Sequence, residues 1–421
     1  MDVITPGGTD YEALQHAWAR PGAPALILQP RNADEVESAL ARAISHGGPI
    51  SVRSGGHGIG VVSTNDGGTV IDLHHLASIE RVDDGTVRVG PGARWGAVAQ
   101  TLAPWGLAIS AGDVADVGVG GLAVAGGIGL MARSHGLTID NIRSVDVVTP
   151  EGFRHTSDTS EPDLFWAMRG AGGFFGIATS FDIAAAPITD VIAANLTFVG
   201  DDLASLIAGW ADLVEQAHRT LSAFLYLLPG PKPTAKTTIV WADDDEAAGR
   251  AAIRPFLNLP GIVQQHVRRT AYSSVLLPDD GPHLGKARIR ARNGLANVID
   301  LEIAQPIAEF ITAGTGIVQI RAAGGAINDV PAAATAYAHR HQQFSIAAIA
   351  PNPAAPLDDA WAPIGARTDG VYSAFETPGA ARWLQRTYPD RTLTRLRRMQ
   401  QQWDPERVLS ELLDGAPIPT R

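Results

Sequence analysis

The chain has no cysteine, so no disulfide, thiolate metal site, thiol nucleophile or sulfur-linked cofactor can be built from it. It also lacks any run of about 18 consecutive apolar residues, which a membrane-crossing helix would need. Residues 1–20 carry no basic stretch followed by an apolar run, and a cytoplasmic protein is the expectation. Basic residues are in the minority, 33 against 44 acidic ones for a net charge of -11. They form no cluster that could follow a phosphate backbone, so nucleic acid is not an expected partner. No internal repeat or low-complexity tract is present, no metal site is expected, and the composition says nothing of oligomeric state.

What is present is material for packed cores. Hydrophobic residues make up 45% of the chain and charged residues 18%, the balance of a globular protein. A length of 421 residues exceeds one ordinary domain of about 100–200 residues, so two domains or one elaborated fold are expected.

From Pro24 the signals alternate between strand and helix. A short apolar run at 25–28 precedes a helix start at Asn32, with Glu35 three residues on as in a capping box. Val36, Leu40, Ala43 and Ile44 share a face at helical spacing, and Gly47-Gly48-Pro49 stops the helix. Ile50 and Val52 alternate as in a strand that runs into the loop Arg53-Ser54-Gly55-Gly56-His57-Gly58. Strands follow at 70–73, 78–82 and 86–89, the last two joined as a hairpin by Asp83-Asp84-Gly85. A helix over 94–102 leads into a second glycine-dense stretch at 112–129. After Pro187 glycine thins out and amphipathic helices and alternating strands take over, which places a domain boundary near Ala186. The basic amphipathic helix at 391–403, followed by Asp404-Pro405, suits a tail returning to the first domain.

Gly55, Gly56 and Gly58 surround one histidine in a loop that ends a strand. Successive N–H groups there can turn inward and cradle a pyrophosphate without interference from Cβ, with Arg53 adding positive charge. By itself such a loop reads first as a tight turn that needs no ligand.

Several motifs in order give that loop a context. ISVRSGGHG (50–58), STNDGGTVIDL (63–73), VGPGARWGAV (89–98), DVGVGGLAVAGGIGLMARSHGLTIDNI (116–142) and DLFWAMRGAGGFFGIAT (163–179) occur in succession, and RLRRMQQQWDPERVL (395–409) lies near the end. Together they resemble the FAD-linked oxidases of the vanillyl-alcohol oxidase and berberine-bridge-enzyme superfamily, with the resemblance running from residue 24 to 187. It implies an α+β, two-domain fold of the PCMH type. An FAD domain (1–186 with a C-terminal return, 371–421) would enclose an inserted substrate domain (187–370) built on an antiparallel sheet covered by helices.

The resemblance also implies site residues. Arg53, Ser54, Gly55, Gly56 and Gly58 would hold the pyrophosphate, and His57 would bond to the 8α-methyl of the flavin. Gly112, Asp113, Val117, Gly118 and Gly121 would line the second flavin loop. Gly126, Leu137 and Asn141 would approach the ribityl chain and ring, with Ile177 at the adenine side. From residue type alone, Val117, Leu137 and Ile177 read as plain core positions. An electron-withdrawing imidazole substituent would raise the flavin's potential and favour hydride acceptance.

The chain departs from the family at informative places. The second tether of many members, a cysteine, is replaced by Val114, so FAD would be attached through His57 alone. Leu122 stands where a histidine is common. Both departures are shared with the singly tethered, 6-hydroxy-D-nicotine oxidase-like members. Val117, at the position associated with oxygen access, points to an oxidase rather than a dehydrogenase. Gln319 and Arg321 alternate with Val318 and Ile320 and so share one strand face, either a cavity wall or an exposed sheet face. Tyr372 opens YSAFE (372–376), where Ala374 replaces the family's asparagine. Tyr372, Tyr337 and His339 are candidates to receive a substrate proton, each equally readable as packed or solvated. The glycine run at 118–129 opens no βαβ unit with an acidic residue about 20 positions on, so it does not read as an NAD site.

The expected protein is therefore an FAD-dependent oxidoreductase. It would take hydride from a small-molecule alcohol or amine C–H and pass electrons to dioxygen, releasing hydrogen peroxide. A dehydrogenase with another acceptor, a redox-neutral cyclase or isomerase on the same scaffold, and a non-enzymatic flavin-binding protein stay open.

Overall fold

In the computed structural model, which describes residues 1–60, 63–278, 288–377, 383–410 and 413, three sheets succeed one another along the chain. The first contains β1 (Asp2–Ile4), β2 (Leu26–Gln29), β3 (Ile50–Arg53) and β4 (Thr69–Asp72) in the order β1-β2-β4-β3. Both β2 and β3 run parallel to β4, and the helix Ala33–His46 joins β2 to β3. Asn32 caps that helix by accepting from the Glu35 N–H at 2.9 Å. The Glu35 carboxylate does not close the expected capping box. It accepts instead from the Arg31 N–H at 2.9 Å and pairs with the Met1 amine at 2.7 Å. Val36, Ala39, Leu40 and Ala43 are buried, whereas Ile44 is 43% exposed. It stands one residue past Ala43, about 100° further round the helix, beyond the edge of the buried stripe.

The second sheet is antiparallel: β5 (Ile79–Arg81), β6 (Thr86–Val89), β7 (Ile142–Thr149), β8 (Gly152–Ser157) and β9 (Ile177–Ala184), in the order β5-β6-β9-β7-β8. The β5–β6 hairpin turns where the Asp83 carboxylate accepts from the N–H groups of Gly85 and Thr86. Between β6 and β7 lie the helix Trp95–Leu102 and the second glycine stretch.

The third sheet has seven antiparallel strands: β10 (Asp190–Val199), β11 (Leu221–Leu228), β12 (Thr234–Trp241), β13 (Ile262–Ala271), β14 (Arg290–Ala296), β15 (Ile317–Ala322) and β16 (Phe344–Ala350). Their order is β13-β10-β12-β11-β15-β16-β14. Side chains alternate between the two faces of a strand. Leu225, Val318, Ile320 and Ile346 therefore join a core with the helices Leu203–Gln216, Leu301–Thr312 and Leu357–Gly365 on one face. On the other face, Val191, Ala193 and Phe224 join the core of the first segment. The sheet is thus a partition between helices and the glycine loops, and that position makes it the roof of the site.

The helix Asp390–Trp403 returns to the first segment, burying Leu393, Leu396, Met399 and Trp403 in the same core. Asp404 then accepts from the N–H groups of Val408, Leu409 and Ser410, each at 2.8 Å, and turns the chain so that Val408 and Leu409 pack on the core of the first sheet.

The two glycine stretches meet where a side chain would not fit. A Cβ on Gly118 would lie 2.1 Å from the Gly55 nitrogen, and one on Gly55 would lie 2.2 Å from the Gly118 nitrogen. Because backbone would meet Cβ, relief requires one loop to move. Gly118→Ala is expected to destabilise the fold by roughly 3 kcal/mol or more. Gly200→Ala, with nothing within 4 Å of its Cβ, should change it by less than about 0.5 kcal/mol, as thermal unfolding of the two variants will show.

Candidate active site

Where the two glycine stretches face the roof sheet there is a cavity of about 1200 Å³. That exceeds the roughly 300–1,000 Å³ of an ordinary small-molecule pocket and leaves room for a large cofactor with a substrate. One wall is the turn after β3, where Ser54, Gly55, Gly56, His57 and Gly58 all border the cavity and Gly56 has φ +76. Gly55 and Gly56 are buried residues, and their N–H groups meet no acceptor among the described residues. Backbone donors of buried residues are nearly always paired, so this turn is suited to an acceptor that none of the described residues supplies. Gly112, Asp113, Val114, Val117, Gly118, Gly121 and Leu122 form the adjoining wall, and Ile177 borders the cavity at the start of β9.

His57 is held from several directions. Its Nε2 lies 3.0 Å from Asp116 Oδ2, and its ring stacks on Trp18 with centroids 5.9 Å apart and planes at 22°. The Trp18 N–H donates to the Gly56 carbonyl at 2.9 Å. Arg94 Nη1 donates to the carbonyls of Gly55 (2.8 Å) and Asp116 (2.6 Å), joining the two loops.

The roof contributes Ile317, Gln319 and Arg321 from one face of β15 and Tyr226 from β11. The buried Asp113 carboxylate gathers them: it accepts from Gln319 Nε2 at 2.9 Å, from Arg321 Nη2 at 2.9 Å and from the Tyr226 hydroxyl. Burial, reinforced by the Asp113 charge, pushes the Tyr226 phenol well above its ordinary value, so it remains a donor. The Arg321 guanidinium lies 4.3 Å from the centre of the Phe375 ring and 5.1 Å from that of Phe224, a cation–π sandwich, and its buried Nε has no hydrogen-bond partner among the described residues.

Tyr372 and Glu376 close one end. The Tyr372 hydroxyl accepts from the Gly127 N–H at 2.9 Å, and burial raises this phenol despite that bond. Glu376 Oε2 accepts from both the backbone N–H and the side-chain amide of Asn293 at 3.0 Å, while Arg292 Nη1 lies 3.3 Å from Oε1. Burial outweighs the attraction of Arg292 and lifts the Glu376 carboxyl to about 7.

Six residues singled out in the sequence do not border the cavity. Arg53 is engaged by Asp72 at 2.8 Å and by the carbonyls of Leu14 and His16, so its charge supports the loop from behind. Gly126, with φ +153, packs on the Tyr372 ring. Leu137 is fully buried in the core, and the Asn141 amide donates to the carbonyls of His135 (2.8 Å) and Leu137 (3.0 Å). Tyr337 packs edge-on against Tyr372 and His339. His339, its pKa lowered by burial, is bonded to the Thr387 carbonyl at 2.9 Å. Of the three proton-handling candidates, Tyr372 is the one that reaches the cavity. Sequence reasoning missed Trp18, Asp116, Tyr226 and Glu376. Tyr226 had a usable signal, since it alternates with Leu225 and Leu227 as Gln319 does with Val318 and Ile320.

A family model described as an FAD binding domain matches residues 24–157. The (R)-6-hydroxynicotine oxidase of Paenarthrobacter nicotinovorans is 31% identical over 340 residues, spanning 77% of this chain and 73% of that protein. This chain belongs to the FAD-linked oxidases of the vanillyl-alcohol oxidase and berberine-bridge-enzyme superfamily. Within the superfamily, the xylooligosaccharide oxidase of Thermothelomyces thermophilus is 29% identical, spanning 91% of this chain and 86% of that one. The fold is shared with crystallised 6-hydroxy-D-nicotine oxidase from Arthrobacter nicotinovorans (TM-score 0.85, 24% identity, 97% and 96% of the two chains). It is shared equally with Physcomitrella patens BBE-like 1 (TM-score 0.87, 20% identity, 100% and 97%). Membership makes the protein an FAD-dependent oxidoreductase. The buried donors of the glycine turn and the size of the cavity fit the superfamily's cofactor.

Glu376 gives the pH response a sign. The fold keeps its proton up to about pH 7, whereas an unfolded glutamate releases it near 4.5, so stability is lost as pH rises through that window. Glu376→Gln removes the ionisation and leaves an oxygen for Asn293. Its melting temperature should fall less than the wild type's between about pH 5 and 7.5, and at the upper end the variant should be the more stable by on the order of 3 kcal/mol.

Proposed function

We propose that this protein is an oxidase that takes hydride from the C–H beside the oxygen or nitrogen of a small alcohol or amine, with FAD bonded to His57 alone and dioxygen reduced to hydrogen peroxide. The observation that carries this reading is the convergence, on one cavity, of a glycine turn with buried open donors, a fixed histidine and a polar roof. Bound FAD supplies the hydride acceptor. Ser54, Gly55, Gly56 and Gly58 bind the pyrophosphate through backbone donors, a task that needs no side chain from Arg53. Gly112, Asp113, Val117, Gly118 and Gly121 bound the flavin, and Ile177 bounds the adenine end.

The roof would face the substrate. Gln319, Arg321 and Tyr226 are spent partly on Asp113, which fixes their positions and leaves a wall suited to a polar, neutral substrate. Tyr372, kept as a phenol by burial, would orient a substrate oxygen or nitrogen as a hydrogen-bond donor while the Gly127 N–H holds its own oxygen. Val117, bordering the cavity, leaves space for dioxygen.

On an acid-denatured gel under ultraviolet light the band should fluoresce, and a peroxide-coupled screen of alcohols and amines should give turnover. A dark band that releases free FAD would remove the tether, and reduction in air that is reversed only by an artificial acceptor would make the protein a dehydrogenase. Val117→Leu is expected to slow reoxidation by air at least tenfold, about 1.4 kcal/mol of barrier, and to leave the rate of reduction by substrate unchanged in stopped flow.

A further inference from the structure

The imidazole proposed as the tether has two nitrogens, and its bond to the cofactor can use only one. Which nitrogen carries the proton is set by the hydrogen bond the other ring position makes. Asp116 Oδ2 lies 3.0 Å from Nε2, and a carboxylate there accepts the proton of that nitrogen. Turning the ring over to exchange its nitrogens would give up the Asp116 contact, and Trp18, whose backbone is itself bonded to Gly56, lies alongside the ring in its present orientation. Asp116 is fixed in turn, with Arg94 Nη1 donating to its carbonyl at 2.6 Å and lying 3.5 Å from Oδ1. The same guanidinium nitrogen holds the Gly55 carbonyl, so carboxylate and histidine loop share one anchor.

We infer that Asp116 is a positioning residue for flavin attachment: it holds the His57 proton on Nε2 and so makes Nδ1 the nitrogen that bonds to the cofactor. The inference rests on the reading of His57 as the tether. The bond formed joins Nδ1 to the 8α carbon. One C–H of that methyl group and the imidazole N–H are given up, and dioxygen takes the two electrons and two protons as hydrogen peroxide. Asp116 favours this step twice, by presenting the Nδ1 lone pair and by balancing the positive charge the ring gains when that lone pair becomes a bond.

The test uses the full chain produced under riboflavin limitation, then supplied with FAD in air, with acid-stable flavin followed over time and flavin bound without a covalent link measured in the same samples. Asp116→Ala should still bind FAD but form the acid-stable link at least tenfold more slowly than wild type, and Asp116→Glu should restore most of the rate. Equal rates for wild type and Asp116→Ala would overturn the inference. In the wild type, the flavin-bearing peptide should be linked through Nδ1. Linkage through Nε2 would overturn the inference whatever the variants do, including the case in which Asp116→Ala does not fold. A wild-type chain that never acquires acid-stable flavin overturns the tether itself, a result distinguishable from both of these.

Discussion

The Asp113 carboxylate is the point at which the two halves of the site are fastened together. It belongs to the second glycine stretch, yet its three side-chain partners among the described residues, Tyr226, Gln319 and Arg321, come from the roof sheet. A buried carboxylate is costly to desolvate and is tolerated only where its charge and its lone pairs are satisfied. The guanidinium meets the first need and the phenol and amide help to meet the second. Their geometry is therefore demanded jointly by both segments.

Around that fastening the site divides its labour by chemistry. The glycine turns offer backbone donors at the closest approach that two chains allow, which is why Gly55 and Gly118 tolerate no Cβ. The roof offers side chains, and it does so on alternate positions of strands whose other face is occupied by helix packing. Rigidity on the helical face holds Gln319 and Arg321 in place on the cavity face. His57 sits at the seam, braced by Trp18, Asp116 and, through the loop carbonyls, Arg94.

Much of this was legible in the one-dimensional pattern because the signals are local. Asn32 caps its helix, Asp83 turns its hairpin, and the alternation of Gln319 and Arg321 puts both on one face, as local hydrogen bonding and strand geometry require. What the pattern left open is equally instructive. Arg53 looked like a phosphate ligand because of its neighbours in sequence, but Asp72, brought alongside by β4, takes its charge. Tyr337 and His339 carry titratable groups and yet lie in the core, where burial and a carbonyl partner leave them no role at the cavity wall.

The amino-acid sequence alone determined the superfamily, the glycine turns, the histidine within the first of them and the impossibility of a cysteine tether, since each depends on residue type and short spacing. It could not determine which acidic residue faces that histidine, which phenol meets Asp113, or that Glu376 is lifted to about 7. Those are properties of contact and desolvation between segments as far apart in the chain as Asp113 and Arg321, and only the packed fold brings such groups within hydrogen-bonding distance.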